Sequence, residues 1–278
     1  MNKPTGVHWL VVLGLAAAAL VAAPSGTPAE DGYHFAYKFD KGHVQQYKVN
    51  FKQEMFWGSF SRSAIVDMEV TEKCVGVTDD GLFEIELVFD KVEASVMMFD
   101  RMQNSGIGEG LTGQSISYTV DKFGETNDVR AIGYIEAWNQ IEQLVNEIAN
   151  QFYVYLPAET HAEGDKWEHT DERDEDGMNI TENWEYEFKK AEQVKGRDCA
   201  KVKAKVEFGI GGIASTPGGD FNMDGEGDGD YEFFFDGAEN LIVKMKGSIE
   251  VKSDMVPVSG SGEEIESTVV YEIQRELL

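Results

Sequence analysis

The chain has 278 residues, of which 42% are hydrophobic and 11% aromatic, so it carries enough apolar surface for a large core and is not a disordered chain. Its 51 acidic residues outnumber 24 basic ones, which gives a formal net charge of −27. That charge repels nucleic acids and anionic membranes, and it argues against both as partners.

Residues 1–29 have the layout of a secretory signal peptide. Lys3 lies in a short first segment, an apolar stretch runs from Trp9 to Ala23, and small residues follow. The stretch is short for a membrane span, so we expect cleavage after Ala23 or Ala29, with a retained anchor helix as the alternative. No cysteine lies directly after the stretch, so we do not expect a lipoprotein with an acylated N-terminal cysteine. We expect a soluble, monomeric protein that is exported to the periplasm or secreted.

Apolar and polar residues alternate along most of the remaining chain. One face of the first long predicted strand carries Tyr47, Val49 and Phe51, with Lys, Asn and Gln between them. Such alternation is typical of an antiparallel sheet with one dry and one wet face. The Asp79-Asp80-Gly81 segment predicts a hairpin turn.

Residues 30–132 and 158–278 repeat one order of strand signals. Each begins with a strand that follows a glycine, and each contains a strand that ends in an acidic turn, at Asp121 and at Asp236. A repeated unit of this kind completes its core against its copy. The sequence therefore predicts a mainly β fold, in which a duplicated antiparallel curved sheet or half-barrel buries one face, as in a β-sandwich.

A connecting segment, residues 133–157, separates the two repeats. Apolar residues spaced three and four apart predict one long helix from Tyr134 to Tyr155, which Pro157 ends. We expect this helix to pack into the concave side of the sheet. A dimerisation helix is the alternative.

Two segments are candidates for binding a ligand. Val96 to Leu111 interrupts the alternation with soft apolar side chains beside glycines, which suits an adaptable flap over an acyl chain. The alternative for this segment is a short core helix and loop. Together with two helix residues, the predicted ligand-binding residues are Met97, Met98, Phe99, Met102, Trp138 and Ile141.

The second candidate is an acidic, glycine-rich segment with oxygen ligands at alternate positions, as at the start of a calcium loop. Its predicted metal ligands are Asp220, Asn222, Asp224, Glu226 and Asp228. The pattern departs from a calcium loop at position twelve, where Tyr231 stands and Glu232 follows one residue late. Calcium as a cofactor and an acidic hairpin tip that binds nothing are both open.

Motifs of catalysis are missing from the sequence. It contains no nucleophile elbow, phosphate-binding glycine loop, dinucleotide fingerprint or HExxH motif, so we assign no catalytic residue. Cys74 and Cys199 either form a disulfide or are two buried thiols, and two cysteines without a neighbouring histidine cannot complete a zinc site.

Several short motifs resemble those of exported bacterial proteins with a duplicated β unit, similar in architecture to the lipoprotein carriers of the Lol system. The motifs are Phe39–Gly42 with Tyr47, Tyr118–Gly124, Leu156–Pro157 leading to Glu163–Trp167, and Gly227–Asp236. The resemblance implies a curved, incomplete barrel that wraps a helix, and it carries over no catalytic residue. Many relatives are lipoproteins, whereas this chain lacks the acylated cysteine.

These observations predict an exported, non-enzymatic binding protein. Its expected partner is a lipophilic small molecule held in an apolar concavity, or another exported protein. The alternatives are a surface or interaction module stabilised by calcium, and a hydrolase that uses acidic residues.

Overall fold

The computed structural model describes residues 32–58, 60–98, 101–104, 107–135, 145–146, 148–149, 152–157, 159–175, 177–216, 219–259 and 264–278. The predicted signal peptide at 1–29 lies outside these residues. Export therefore stays a prediction.

Strands dominate the first part of the chain. The elements are β1 (Tyr33–His34), β2 (Val44–Trp57), β3 (Phe60–Val77), β4 (Phe83–Met98), β5 (Arg101–Asn104), α1 (Ile107–Leu111), β6 (Ser115–Val120) and β7 (Thr126–Ile132).

The second part continues with strands only, among the residues described. They are β8 (Thr160–His161), β9 (Lys166–Glu175), β10 (Met178–Val194), β11 (Arg197–Thr216), β12 (Gly219–Asp236), β13 (Leu241–Pro257) and β14 (Ile265–Leu277). With 20 residues, β11 is the longest and spans about 65 Å at 3.3 Å per residue.

Twelve of the described strands form one open antiparallel sheet, in the order β7-β6-β4-β3-β2-β14-β13-β12-β11-β10-β9, with β5 added beside β4. The two predicted repeats supply the two sides of this sheet, and the pairing of β2 with β14 joins them. Strands β7 and β9 are its two outer edges, so the sheet does not close into a barrel. The prediction of a mainly β, antiparallel fold is confirmed. The duplication itself stays a prediction.

One face of the sheet, here called the inner face, carries the core. Residues that pair across neighbouring strands form rows on this face, and each row is named after its residue in β2. The Val49 row consists of Met68, Val49, Arg275, Met245, Phe233, Val202 and Phe188, and the Phe51 row of Val66, Phe51, Ile273, Gly247, Tyr231, Ala204, Tyr186 and Trp167. Nearly all of these side chains are buried.

Two segments outside the sheet, residues 35–39 and 152–157, lie over these rows and are called the cover. Phe35 packs on Phe188 and Phe235 with ring centroids 5.7 and 5.4 Å apart. Phe152 packs edge-on against Tyr47 at 5.3 Å. The short pairing of β1 with β8 fixes the chain at the start of the cover.

The long connecting helix predicted from Tyr134 to Tyr155 is wrong at both ends. Tyr134 and Ile135 are not helical, and neither is the chain from Tyr153 to Pro157. The Tyr37 hydroxyl bonds both the N–H and the carbonyl of Val154, and the Leu156 N–H donates to the Phe123 carbonyl, so tertiary partners replace helical hydrogen bonds. Of the residues between, 145–146, 148–149 and 152 are helical and the others lie outside the described part.

Cys74 and Cys199 are both buried free thiols, so the structure contains no disulfide between them. Burial raises the pKa of the Cys199 thiol to about 12, helped by the nearby Asp236 carboxylate. Both side chains belong to the core. In the part of the chain that the structure describes, no helix is long and apolar enough to cross a membrane.

Candidate ligand-binding face

The inner face continues past the cover as two further rows, here called the open half. The Met55 row consists of Arg62, Met55, Val269, Val251, Gly227, Phe208, Glu182 and Asp171, and the Trp57 row of Phe60, Trp57, Ser267, Ser253, Gly225, Ile210, Ile180 and Arg173. Met55, Val269 and Phe208 are only half-buried. The open half is therefore a partly exposed apolar surface on a rigid sheet.

The boundary between the two halves is the Gln53 row. It consists of Ala64, Gln53, Tyr271, Ile249, Gly229, Val206, Trp184 and His169. Tyr155 of the cover stacks on His169 with ring centroids 3.5 Å apart, and Phe123 packs on the same tyrosine. Tyr155 thus links the turn after β6 to β9, across the gap between the two sides of the open sheet.

Glycines shape the open half. Gly225, Gly227 and Gly229 occupy successive inner-face positions of β12, where side chains of neighbouring strands lie over them. A Cβ atom at Gly227 would lie 2.3 Å from the Glu250 carbonyl oxygen and 2.9 Å from the Val251 Cα. Only glycine permits this close approach, which marks a point of tight bending in the sheet.

Polar groups close one end of the Met55 row. Arg173 bonds Glu182 at 2.8 Å and Asp171 at 2.6 Å, and the Trp184 indole N–H donates to Glu182 at 3.0 Å. Arg173 is therefore paired with two carboxylates at this β9–β10 edge.

Arg62 lies at the other end of the Met55 row, on β3. It pairs in register with Met55, and its inner-face neighbours along the strand are Phe60 and Ala64. Its Nε atom is buried and has no hydrogen-bond partner. The ion pairs found among the described residues do not include Arg62.

A second pair of charges lies under the cover. Glu72 and Arg275 are each 2% exposed, and Arg275 donates to the Phe152 carbonyl with its guanidinium over the Tyr47 ring. Desolvation raises the pKa of Glu72 to about 7, although the positive charge of Arg275 and a hydrogen bond from Tyr153 oppose the rise. Every contact here is with the core or the cover, so this pair serves to hold the cover.

The outer face is charged and carries a cavity of about 1110 Å³ against β9–β14. Its walls include Lys203, Lys246 and Glu232, and the ion pairs there are balanced, such as Lys246 with Glu232 at 3.7 Å. The cavity is wide and polar, which suits water and ions better than an apolar ligand.

The predicted ligand-binding site stays a prediction, because most of its residues lie outside the part of the chain that the structure describes. Met97 lies on the outer face, 43% exposed, because β4 continues without interruption to Met98 and alternation turns residue 97 outward. Met98 pairs in register with Arg62, and Met102 with Met97. The side chains of Met98 and Met102 lie outside the described part, as do Phe99, Trp138 and Ile141 altogether.

The segment predicted as a calcium loop or hairpin tip is neither. The five predicted ligands occupy every second position of β12, so their side chains line up along the outer face and cannot converge on one ion as in a loop. They are Asp220, Asn222, Asp224, Glu226 and Asp228. Within the described residues, no group of three or more histidine, cysteine or acidic side chains is placed to hold a metal. Calcium binding stays a prediction that the geometry does not support.

The open half is not predicted from the sequence, and two of its features show why. The strict alternation of glycine and acid from Gly225 to Asp230 belongs to a strand whose inner face lacks side chains, whereas the calcium-loop interpretation places it in a loop. Arg62 has no distinguishing motif, and only the strand register places it among apolar residues.

Comparison with known proteins finds the fold but no family. No family model matches the chain, and no curated protein matches it. A solved structure titled for lipid–protein interactions in lipovitellin matches with a TM-score of 0.55 at 11% identity. The match covers 87% of this chain and 25% of that one, so the chain spans about a quarter of the lipovitellin chain. The likeness shows a shared fold, a large open antiparallel sheet.

Proposed function

We propose that the protein is an exported, non-enzymatic binding protein that holds a lipophilic ligand on the open half of its inner face. The observation that carries this proposal is the continuation of the apolar rows beyond the cover, where Met55, Val269 and Phe208 are only half-buried. A partly exposed apolar surface that continues from the core is typical of a binding site. The shared fold with lipovitellin, a structure titled for lipid–protein interactions, agrees with this choice.

A matched pair of variants tests the binding face. Phe208 lies on the open half, whereas Phe56 lies on the outer face with 47% exposure. Intrinsic tryptophan fluorescence should report binding of hexadecanol, a neutral lipophile, since Trp57 and Trp184 flank the open half. We expect Phe208→Ala to weaken this binding about tenfold, because it removes most of a buried aromatic contact, and Phe56→Ala to leave it unchanged.

Failure of the wild-type protein to bind either hexadecanol or palmitate would overturn the proposal. So would an equal loss of affinity in Phe208→Ala and Phe56→Ala, because the ligand would then not use the inner face. Export is tested separately, by fractionating the host and determining the N-terminus of the mature protein by mass spectrometry. An intact Met1 in the cytoplasmic fraction would refute it.

A further inference from the structure

Among the residues that the structure describes, Arg62 has no counterion, and its neighbours on the inner face are apolar. Its inner-face neighbours along β3 are Phe60 and Ala64, and Met55 lies beside it on β2. The Nε atom is buried and unpaired, and a cation held among apolar groups costs free energy unless an anion compensates it.

The other two arginines of the inner face have partners for their charge, although the Nε atom of Arg275, like that of Arg62, is buried without a hydrogen bond. Arg173 is bonded to Asp171 and Glu182, while Arg275 donates to the Phe152 carbonyl and lies over two aromatic rings near Glu72. In a chain with 51 acidic and 24 basic residues, an acid beside Arg62 would be the default arrangement. Within the described part of the chain no acid takes this place, and the carboxylate of a bound ligand would supply the missing counterion.

The Met55 row offers a strip for one acyl chain, starting at Arg62. From β3 to Phe208 on β11 the row crosses five strand spacings, which is about 24 Å at 4.8 Å each. One acyl chain reaches about 15 Å, half the hydrocarbon thickness of a bilayer, so a chain that begins at β3 occupies about the first three of these spacings. Polar groups flank the row where it crosses β2, β14 and β13. Gln53 lies on one side, and the hydrogen-bonded Ser253 and Ser267 lie on the other.

We propose that the ligand is a long-chain carboxylate, with its headgroup on Arg62 and its chain along the Met55 row toward Phe208. This inference rests on the proposed function and specifies its ligand. A guanidinium matches a carboxylate through two parallel hydrogen bonds. One unpaired cation neutralises one negative charge, whereas a phosphomonoester carries nearly two. The net negative charge repels anionic surfaces from the molecule as a whole. It does not prevent one carboxylate from pairing with Arg62, because that pairing is local and partly desolvated.

The test compares palmitate with hexadecanol in four proteins: wild type, Arg62→Met, Arg62→Lys and Arg130→Met. Arg62→Met keeps the apolar stem and removes the charge. Arg130 is an exposed arginine on β7, and its replacement changes the net charge equally. We expect Arg62→Met to weaken palmitate binding about 10- to 100-fold, as for a lost charged hydrogen-bond pair, and to change hexadecanol binding less than twofold. Arg62→Lys should recover part of the palmitate affinity, and Arg130→Met should match the wild type.

Several outcomes would overturn the inference while leaving the proposed function intact. They are binding of both lipophiles with no preference for palmitate, equal palmitate affinity in Arg62→Met and wild type, and tighter binding of a single-chain lysophospholipid than of palmitate. Binding of neither lipophile by the wild type would end both proposals. Thermal unfolding guards against a folding artefact, because removing an unpaired, partly buried charge should leave the midpoint of Arg62→Met equal or higher.

Discussion

The covered half and the open half of the inner face are built from the same strands, yet their residues differ in kind. The rows under the cover carry large rings that meet other rings, such as Tyr47 against Phe152. The open half has glycines in β12, serines in β13 and β14, and half-buried aliphatic and aromatic side chains. The chain thus supplies its own second layer at one end of the sheet, whereas the other end is the proposed binding face.

The largest expected effect tests this division through stability. Phe152 is fully buried between Tyr47 and Arg275, so Phe152→Ala should lower the free energy of unfolding by about 3–5 kcal/mol. Phe208→Ala in the open half should cost less than about 1.5 kcal/mol, because its ring already contacts solvent. Urea unfolding of both variants measures the contrast. Equal losses would show that the two halves do not differ in packing.

The titration of Glu72 tests whether the covered half of the inner face excludes water, as the comparison of the two halves requires. Its pKa is raised from 4.5 to about 7, so the folded protein favours the neutral carboxyl. That contribution is fully present below pH 4.5 and is lost as the pH rises through 7. Glu72→Gln should therefore gain stability relative to the wild type between pH 4.5 and 7.5, by up to about 3 kcal/mol.

Urea unfolding of both proteins at pH 5, 6, 7 and 8 measures this difference, and pH effects from other groups cancel between them. Glu69→Gln, an exposed change on the outer face of the same strand, is the control. Its unfolding free energy should not diverge from that of the wild type as the pH rises. A constant difference between Glu72→Gln and wild type over this range would mean that the cover lets water reach the carboxylate.

The glycines of β12 give an intermediate effect that tests the shape of the open half. Gly227→Ala places a Cβ atom against the backbone of β13, so we expect a loss of about 2 kcal/mol and weaker hexadecanol binding. Gly209→Ala on β11 is the control, since its Cβ atom would meet nothing nearer than Thr181 at 4.0 Å. Equal stability of the two variants would show that the close approach at Gly227 is not required.

Periodicity in the sequence predicted much of the fold. Tyr47, Val49 and Phe51 were predicted to share a buried face and do so. The two acidic turns also form as expected. Asp121 and Asp236 each accept one hydrogen bond from the backbone N–H two residues later and a second one from an N–H further along the turn. Both features depend on residues within a few positions of one another, so they can be predicted without knowing which distant strands pair.

The candidate site could not be predicted in the same way. Glycine and aspartate disfavour strands locally, yet Gly225 to Asp230 form one because Val206, Ile249 and Val251 from neighbouring strands fill the space over the glycines. Arg62 becomes informative only once the register shows which residues face it. Contacts between distant strands set both features, and periodicity carries no information about them.

The smallest expected effect concerns the outer face behind the open half. Glu207, Asp228 and Glu250 are exposed and directly opposite one another on three adjacent strands, and like charges in that arrangement repel. Asp228→Asn should therefore stabilise the protein by about 0.5 kcal/mol at 10 mM salt, and the gain should vanish at 1 M salt, where the screening length is about 3 Å. Asp230→Asn is the control, because Asp230 faces Lys205 and its loss removes an attraction. A gain that persists at 1 M salt would show that a difference in strand propensity, and not the removal of charge repulsion, stabilises the variant.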